Sequence, residues 1–511
     1  MFLKHSCFSS ALQLRIVYHR RASYLMTISP ISEPVLALSL LLLTLTAVAT
    51  LSPPERPYNI LMMLPVSSKS HRNVFMPLAT ELTKRGHKVT ILSNHPPEDD
   101  NTKITYIQHG LSHTREETLN VFEIRDDASK MLDFFSHILP LVARDFYKIP
   151  VVKQLYDNRD GFDLIVIDNL CNEVVLPFTY NKTFITVATA GLEPMHSAVM
   201  GNILNPSYAT TGLELFRTPL TFVERLKNIF YTIAFPIYWI HLVVVPSSQE
   251  EISKQFPYLP SLTAMNRNQS LVLLNSHFSM FSSLPLVPSQ IEVGCMHCRP
   301  GKPLPKDIDE FVSGIEPVIY FSLGSVTRAE TMPSQYKKIF VSVFSKLPYK
   351  VLWKFDQQVQ HLAKNVMIKN WMPQQDILAH PNVKLFISHC GMLSTQEAMF
   401  HATPVLALPV FVDQPKNAQQ VEINGIGKTL VWEQLTEELF IDTIKELIRD
   451  HSYQENVSRI SATFKDQPQS PVERAVFWTE YVIRHSGALH LRSPELELSW
   501  VQVLHLDILL M

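Results

Sequence analysis

Short apolar runs alternate with helix-like segments along most of the chain, and this alternation constrains the fold more than any other feature. The first series starts with YNILMMLPV (58–66), followed by SSKSH as a polar loop and by NVFMPLATELTKRG (73–86) with helical spacing. Gly86 stands where a helix C′ residue is expected, and HKVTILS then has the pattern of a strand. Such a β-α-β unit implies a parallel sheet with right-handed crossovers. FDLIVID (162–168) and TFITVAT (183–189) are typical of later strands of that sheet.

A second series of apolar runs follows the proline-rich stretch RPGKPLPKD (299–307), and we interpret residues 299–308 as an interdomain linker. The strand-like runs of this series are PVIYFSLGS (317–325), KVLWKF (350–355), VMIKNW (366–371), VKLFISH (383–389) and TPVLALP (403–409). The sequence therefore predicts an α/β fold with two facing Rossmann-like domains. Ligands of such sheets bind beyond the carboxyl ends of the strands.

Length and composition support two globular domains and exclude some functions. A chain of 511 residues is too long for one ordinary core, and a net charge of -2 lacks the basic excess of a nucleic-acid-binding protein. The 5 cysteines are too few and too scattered for a disulfide framework. Cys295 and Cys298 form a single C-x-x-C pair without a second one, so zinc is not expected. The pair is either a disulfide or two inert thiols.

The N-terminus has the features of a targeting segment. VLALSLLLLTLTAVA (35–49) is too short to span a bilayer comfortably and ends in the A-x-A pattern of a cleaved signal peptide. We therefore assign residues 1–50 to a signal peptide with an upstream extension, with a retained anchor as the alternative. Asn181, Asn268 and Asn456 each begin an N-x-[ST] sequon, which fits a lumenal chain.

Polar groups are concentrated in FISHCGMLSTQEA (386–398), directly after an apolar run. Gly391 is expected to allow a tight turn, and Ser394 with Glu397 has the spacing of a capping box at the start of a helix. These residues either only start the helix or also form an anion site. A helix N-terminus offers free N–H groups and a favourable dipole, and His389 could add a donor to a phosphate.

The wider pattern resembles a known family. WMPQQDILAHP (371–381) and HATPVLALPVFVDQ (401–414) enclose this segment, and the run from Trp371 to Gln414 resembles the signature of the UDP-glycosyltransferases. The resemblance extends over nearly the whole mature chain and is strongest to the animal, membrane-associated branch that includes the UDP-glucuronosyltransferases. It implies a GT-B type fold. Its implied parts are an acceptor-binding domain (51–298), a UDP-sugar-binding domain (309–468) and a helical segment that returns to the first domain (469–511).

The resemblance also implies roles for residues of the second domain in binding the nucleotide. Trp371 would stack on uracil, and Gln374 would hydrogen-bond the base or the ribose. Glu397 would accept hydrogen bonds from the ribose hydroxyls, while His389 and Ser394 would hold the diphosphate. Core packing remains the alternative for Trp371.

The resemblance implies further contacts to the UDP-sugar at two loops. Ser325 lies in a loop that would contact the diphosphate, and Asp413 and Gln414 would bind sugar hydroxyls, unless they form only a solvated turn. Many relatives carry Asn where this chain has Leu393, whose side chain cannot donate to a phosphate. Because of this departure, the resemblance does not fix the detailed phosphate contacts or the choice of donor sugar.

The first domain is implied to supply the catalytic base. His71 lies in the loop after the first predicted strand, and Asp168 ends the strand at 162–168. The resemblance implies that His71 deprotonates a hydroxyl of the acceptor and that Asp168 orients the imidazole. The reaction would be a single inverting displacement at the sugar C1. No metal or other cofactor is required for it, and the alternative function is that of a catalytically silent UDP-sugar or lipid-binding relative.

The expected partners are a UDP-sugar, either UDP-glucuronate or UDP-glucose, and a small lipophilic acceptor. IFYTIAFPIYWIHLVVV (229–245) is interrupted by Pro236 and His241, so we interpret it as a membrane-surface or acceptor-channel element rather than a transmembrane helix. The expected location is the lumen of the endoplasmic reticulum, in association with the membrane, and a homo-oligomer remains open. The chain stops at HLDILLM, where the usual transmembrane helix of the family would start, so it is either a soluble form or an incomplete sequence.

Overall fold

The computed structural model of the protein describes residues 51–511 apart from residues 97–101, 113–119, 126–127, 212–215, 217–218, 326, 328–330, 358, 361, 504 and 510–511. Residues Pro54–Met511 form one structural unit. The apolar segment at 35–49, predicted as a signal peptide, lies outside the described residues.

Seven parallel strands form the first sheet, in the order β3-β2-β1-β4-β5-β6-β7. Their bounds are β1 Asn59–Leu64, β2 Lys88–Ser93, β3 Ile104–Gln108, β4 Leu164–Asp168, β5 Phe184–Ala188, β6 Leu271–Leu274 and β7 Gln290–Glu292. The strand order reverses at β1, which pairs with both β2 and β4. A crevice forms at such a switch point, beyond the carboxyl ends of the strands.

Six parallel strands form the second sheet, in the order β10-β9-β8-β11-β12-β13. Their bounds are β8 Val318–Ser322, β9 Lys350–Lys354, β10 Val366–Lys369, β11 Val383–Ser388, β12 Val405–Ala407 and β13 Gly427–Thr429. Here the order reverses at β8, which pairs with β9 and β11. The strands predicted from the apolar runs are confirmed, although each run extends beyond the strand it contains.

Helices connect the strands of both sheets. In the first half of the chain they are α1 Lys69–Lys84, α2 Val121–Ile124, α3 Ala128–Phe146, α4 Pro150–Asp157, α5 Leu176–Thr179, α6 Pro194–Val199, α7 Phe222–Pro236, α8 Val244–Gln255 and α9 Leu262–Asn266. In the second half they are α10 Lys306–Val312, α11 Ser334–Lys346, α12 Gln374–Leu378, α13 Met392–Phe400, α14 Gln414–Ile423, α15 Glu437–Arg449, α16 His451–Lys465, α17 Pro471–Arg484, α18 Trp500–Val503 and α19 Leu506–Leu509.

Alternate residues of the second sheet pack into different cores. Phe321 and Trp353 belong to a core on one face, whereas Tyr320 and Leu352 belong to a core on the other face. Because both faces are covered, successive residues of each strand are apolar, as is typical of parallel sheets. This is why continuous apolar runs marked the strands in the sequence.

Helix α1 begins earlier than the sequence predicted. The predicted helix covered residues 73–86, with SSKSH as a loop, but α1 starts at Lys69 because Ser68 caps it and accepts a hydrogen bond from the His71 N–H (3.3 Å). His71 therefore lies in the first helical turn rather than in a loop. The C′ assignment of Gly86 is confirmed, since its φ is +93° directly after the C-cap residue Arg85.

The chain passes from the first sheet to the second between Glu292 and Val318. The last residues of the predicted linker at 299–308 are helical, because α10 begins at Lys306. After the second sheet, helix α17 packs against α1. Arg85 and His87 both contact the buried carboxylate of Glu480 in α17, at 2.6 and 3.0 Å.

The apolar segment predicted at 229–245 spans the end of α7, a π-helical turn at Ile237–Leu242 and the start of α8. Trp239 points inward and is buried, whereas Phe222, Phe230 and Leu242 are exposed. By length and composition alone, Phe222–Gln255 is the one helix of the described residues that could cross a membrane.

Candidate active site

A cavity of about 1070 Å³ opens beyond the carboxyl ends of the strands of both sheets. Residues that follow β1, β4 and β5 line one side of it, and residues that follow β8, β11 and β12 line the other. All the sequence-predicted site residues except Asp168 line this cavity. Asp168 is buried and contacts His71, which does line it.

His71 and Asp168 form a close pair on the first sheet. His71 Nδ1 lies 2.5 Å from Asp168 Oδ2, and the two side chains are 17% and 3% exposed. Helix α1 presents the histidine after β1, and the aspartate ends β4, the neighbouring parallel strand. A carboxylate at Nδ1 fixes the imidazole tautomer, so Nε2 becomes the basic nitrogen.

Thr189 contacts both members of the His71–Asp168 pair. It was not among the site residues predicted from the sequence. Its hydroxyl lies 2.9 Å from His71 Nδ1 and donates to Asp168 Oδ1 at 3.2 Å. Thr189 directly follows β5, which pairs with β4 so that Val187 lies opposite Asp168. A polar residue just beyond a neighbouring strand was the signal that could have identified it.

Trp371 lies at the cavity surface rather than in a core. Its side chain is 64% exposed, which rules out core packing as its role. Lys354 Nζ is 5.1 Å from the centre of its ring and donates to Gly324 O at 2.7 Å. An exposed indole beside a cation provides a flat surface on which a planar group can stack.

Gln374 links the two polar residues of helix α13. Its side-chain amide donates to Glu397 Oε2 at 2.6 Å and to Ser394 Oγ at 3.0 Å. Burial raises the pKa of Glu397 to about 7, and the hydrogen bond from Gln374 offsets only part of this shift. The three residues therefore form a polar group on the cavity wall that can bind hydroxyls.

The capping box predicted from Ser394 and Glu397 is wrong. Gly391 is the N-cap residue of α13, and the helix starts at Met392, two residues before Ser394. The cap is supplied from another loop, because Asp413 Oδ2 accepts a hydrogen bond from the Met392 N–H at 2.9 Å. Ser394 thus lies within the first turn and bonds Gln374 instead.

His389 is enclosed between two glycines. A Cβ atom added to Gly324 or to Gly391 would lie 2.5 or 2.6 Å from His389 Nε2, so both positions leave room only for hydrogen. Burial lowers the pKa of His389 to about 3, with a smaller effect from Lys354, so the ring is neutral near pH 7. Its buried Nδ1 has no hydrogen-bond partner among the described residues.

The tight turn expected at Gly391 is made by its neighbour. Cys390 has the positive φ of 61°, whereas Gly391 has an ordinary φ of -57°. The glycine at position 391 is needed for space beside His389 rather than for backbone conformation. Leu393 follows in the first helical turn and lines the cavity, as does the exposed Ser325 after β8.

Asp413 and Gln414 lie at the cavity edge after β12. Besides Met392, Asp413 accepts a hydrogen bond from Asn417 at 2.8 Å. Burial raises the pKa of Asp413, and the hydrogen bonds from Met392 and Asn417 offset part of that shift. Gln414 accepts from the Val410 N–H at 2.8 Å, which leaves its NH₂ group as a donor. Asp413 and His71 both line the cavity, so residues of the two sheets face the same space.

Cys295 and Cys298 are joined by a disulfide, which answers the question that the sequence left open. Cys171 and Cys390 are buried free thiols. In the part of the chain that the structure describes, no three His, Cys, Asp or Glu side chains are grouped as a metal site would require.

Comparison with known proteins identifies this arrangement. The chain resembles the structure of CalG4, the calicheamicin glycosyltransferase, with a TM-score of 0.58 and 17% identity over 84% of this chain and 99% of that one. Such identity shows the fold alone, which is the GT-B arrangement of two Rossmann-like domains. The fold predicted from the sequence is thereby confirmed.

The family is shown by sequence. The family described as "UDP-glucoronosyl and UDP-glucosyl transferase" matches residues 61–511. The chain is 35% identical to UDP-glycosyltransferase UGT5 of Dactylopius coccus, over 88% of each chain. It is 31% identical to UDP-glucuronosyltransferase 2B7 of Homo sapiens, over 86% of this chain and 87% of that one. The chain belongs to the UDP-glycosyltransferase family, and it is a glycosyltransferase that takes a hexosyl group from a UDP-sugar.

Proposed function

We propose that the protein transfers the hexosyl group, with inversion at C1, to a hydroxyl of a small lipophilic acceptor, and that His71 is the general base. The observation that carries this proposal is the 2.5 Å contact between His71 and Asp168 at the cavity where both sheets meet. A base of matched pKa near the reacting hydroxyl accelerates such a step by about 10²–10⁴-fold.

In the proposed reaction, the acceptor oxygen attacks C1 of the sugar from the side opposite UDP. The new O–C1 bond forms as the bond between C1 and the diphosphate oxygen breaks. His71 Nε2 takes the proton of the attacking hydroxyl, and Asp168 stabilises the resulting imidazolium. The electron pair of the broken bond leaves with UDP.

We assign the donor site to the second sheet. Uracil stacks on Trp371, and the ribose hydroxyls donate to Glu397, with Gln374 beside them. The diphosphate binds at the N-terminus of α13, where backbone N–H groups and the helix dipole favour an anion.

Side chains around that helix end complete the proposed donor site. His389, Ser394 and Ser325 contribute donors to the diphosphate, because all three line the cavity near Gly391. Asp413 and Gln414 bind sugar hydroxyls. Leu393 offers no donor, so in this chain the backbone and the other side chains hold the phosphates.

The donor sugar is tested directly by product analysis. The family description names both glucuronosyl and glucosyl transfer, so we propose one of these two sugars. The protein is offered UDP-glucuronate, UDP-glucose or UDP-galactose with a simple phenol, and the conjugate is identified by mass and its anomeric configuration by NMR. A β-linked glucuronide or glucoside is expected from the α-linked donor. An α-linked product, or no conjugate with any donor, would contradict the proposal.

We further propose a lumenal location in the endoplasmic reticulum with contact to the membrane surface. The exposed apolar side chains of α7 support this, because Phe222, Leu226, Phe230 and Ile233 all face solvent on one helix. Apolar side chains on such a helix can enter the boundary between head groups and acyl chains. Release of the protein from membranes when these four residues are changed to Ser would support this assignment, and unchanged membrane association would oppose it.

A further inference from the structure

Glu173 is a buried carboxylate that lines the cavity and has no part in the proposed catalysis. It lies in the 3₁₀ turn Asn172–Val175, shortly after β4 ends at Asp168. Its Oε1 atom accepts a hydrogen bond from the indole N–H of Trp239 at 2.6 Å. Its Oε2 atom is also buried, but it has no hydrogen-bond partner among the described residues.

An enclosed carboxylate oxygen without a donor is unfavourable, so native proteins normally pair it. Because Glu173 lines the cavity, a bound molecule can supply the missing donor. Burial raises the pKa of Glu173, and a positive charge beside it would favour the ionised form again. The carboxylate is therefore suited to bind a hydrogen-bond donor, and a cation most of all.

Aromatic rings surround this position. The centre of the Trp239 ring lies 5.7 Å from that of Phe135 and 5.6 Å from that of Phe235, and all three line the cavity. The π-helical turn Ile237–Leu242 directs Trp239 inward, although its first and last residues are exposed. Faces of aromatic rings attract cations, and the same rings pack well against an alkyl chain.

We propose that Glu173 and these three rings recognise a hydrogen-bond donor at the end of the acceptor molecule remote from the hydroxyl that is glycosylated, with a protonated amine bound best. The assignment of this part of the cavity to the acceptor rests on the proposed function. The acceptor is then a lipophilic hydroxyl compound with an amine or a second hydroxyl at its far end.

The test compares ligands that differ only at that far end. Phenols with para-alkyl chains of increasing length end in an amine, a hydroxyl, a methyl group or a methyl ketone. Calorimetry on the UDP-saturated protein gives their dissociation constants, whether or not they are turned over. At the chain length that reaches Glu173, the amine is expected to bind about ten- to a hundredfold more tightly than the methyl compound, with the hydroxyl between them.

Glu173→Gln separates this role from a structural one. Glutamine keeps a carbonyl oxygen for the Trp239 N–H but replaces the other oxygen with an NH₂ group, so the preference for amine over methyl should disappear. The control is Glu250→Gln, which makes the same change on an exposed carboxylate of α8 and should keep the preference. If Glu173→Gln does not fold, the ligand series on the unmodified protein still shows whether an amine at the far end is preferred.

Three results would overturn the inference. The first is an amine that binds no more tightly than methyl at any chain length, and the second is a preference that persists in Glu173→Gln. The third is tightest binding of the ketone, which would make Glu173 a neutral donor. Transfer from a UDP-sugar to the methyl-terminated phenols tests the proposed function separately, because these compounds lack the remote group. Loss of that transfer with the amine preference intact would count against the proposed function alone.

Discussion

The imidazole of His71 lies 2.5 Å from the carboxylate of Asp168, although 97 residues separate them in the chain. They meet because β1 and β4 are neighbouring parallel strands, in which Met63 lies opposite Ile167. Residues that follow both strands therefore emerge at the same edge of the sheet. Thr189 arrives at that edge from β5 and contacts both members of the pair.

Replacing Thr189 by Val tests whether its hydroxyl positions the pair. The variant loses one hydrogen bond to Asp168, which is expected to lower kcat about two- to tenfold with little change in KM for the UDP-sugar.

Thr189→Ser is the matched control, since serine retains the hydroxyl and should keep kcat close to that of the unmodified protein. A Ser variant as slow as the Val variant would contradict this role, because a retained hydroxyl would then not preserve the rate.

The sequence predicted nine of the thirteen described strands, because parallel strands covered on both faces are continuous apolar runs. It did not predict β3, β6, β7 and β13. The runs at 162–168 and 183–189 contain β4 and β5, and their ends place Asp168 and Thr189 side by side. The sequence did not predict that α1 starts at Lys69, because the segment SSKSH has no apolar residue to show helical spacing. That start depends on a local cap by Ser68.

Contacts between distant loops account for the other differences. The N-terminus of α13 is capped by Asp413, 21 residues after Met392, so a capping box read from local spacing was misleading. The role of Gly391 depends on the position of the His389 ring, and Glu173 accepts its hydrogen bond from Trp239, 66 residues further along the chain. Because such partners are distant in the chain, local sequence patterns do not predict them.

Gly391→Ala tests the close approach of the His389 ring. The φ of -57° suits alanine, so the main cost should be the collision of the new Cβ with Nε2, 2.6 Å away, with a smaller cost from alanine at the N-cap. Overpacking of this kind costs about 1–3 kcal/mol of unfolding free energy, measurable by urea denaturation. Adding His389→Ala removes the ring and should recover most of that loss relative to His389→Ala alone. A Gly391→Ala variant as stable as the unmodified protein would refute the packing argument.

UDP binding should depend on the protonation of Glu397. Because burial raises its pKa to about 7, the carboxylate that we propose as the acceptor for the ribose hydroxyls becomes protonated below that pH. Its neighbours do not titrate there, since burial lowers the pKa of His297 to about 4 and Arg299 stays charged. The dissociation constant measured by calorimetry should rise by up to about tenfold per pH unit below 7.

Glu397→Gln provides the control, since the titration of UDP itself affects both proteins equally. The variant should bind UDP about ten- to a hundredfold more weakly at pH 8, and the difference should shrink toward pH 5. The stability of the variant should change in the opposite sense to its affinity for UDP. Burial raises the pKa of Glu397 from 4.5 to about 7, so this residue lowers the stability of the UDP-free protein as pH rises from about 4.5 to about 7. The Gln variant has no such charge, and it should be more stable than the unmodified protein at pH 8. A difference in UDP affinity that is independent of pH would contradict this role.

The structure distinguishes the three sequons, provided that the chain enters the lumen. Asn181 and Asn268 are exposed outside the helices, whereas Asn456 lies within α16 and its amide donates to Gly425 O at 3.0 Å. In protein expressed in animal cells, the mass shift on glycosidase treatment should disappear in the Asn181→Gln, Asn268→Gln double variant. It should persist in Asn456→Gln. A shift lost only with Asn456→Gln would reverse this assignment.

The most direct test of the account is the comparison of His71→Ala with the unmodified protein in two measurements, turnover of a phenol and affinity for UDP. His71 is proposed to take the acceptor proton and not to hold UDP, so turnover should fall by about 10²–10⁴-fold while the dissociation constant for UDP stays the same. Asp168→Asn should also slow turnover, and the double variant should be little slower than His71→Ala because the pair acts as a unit. Near-normal turnover by His71→Ala with every active acceptor would show that this histidine is not the base.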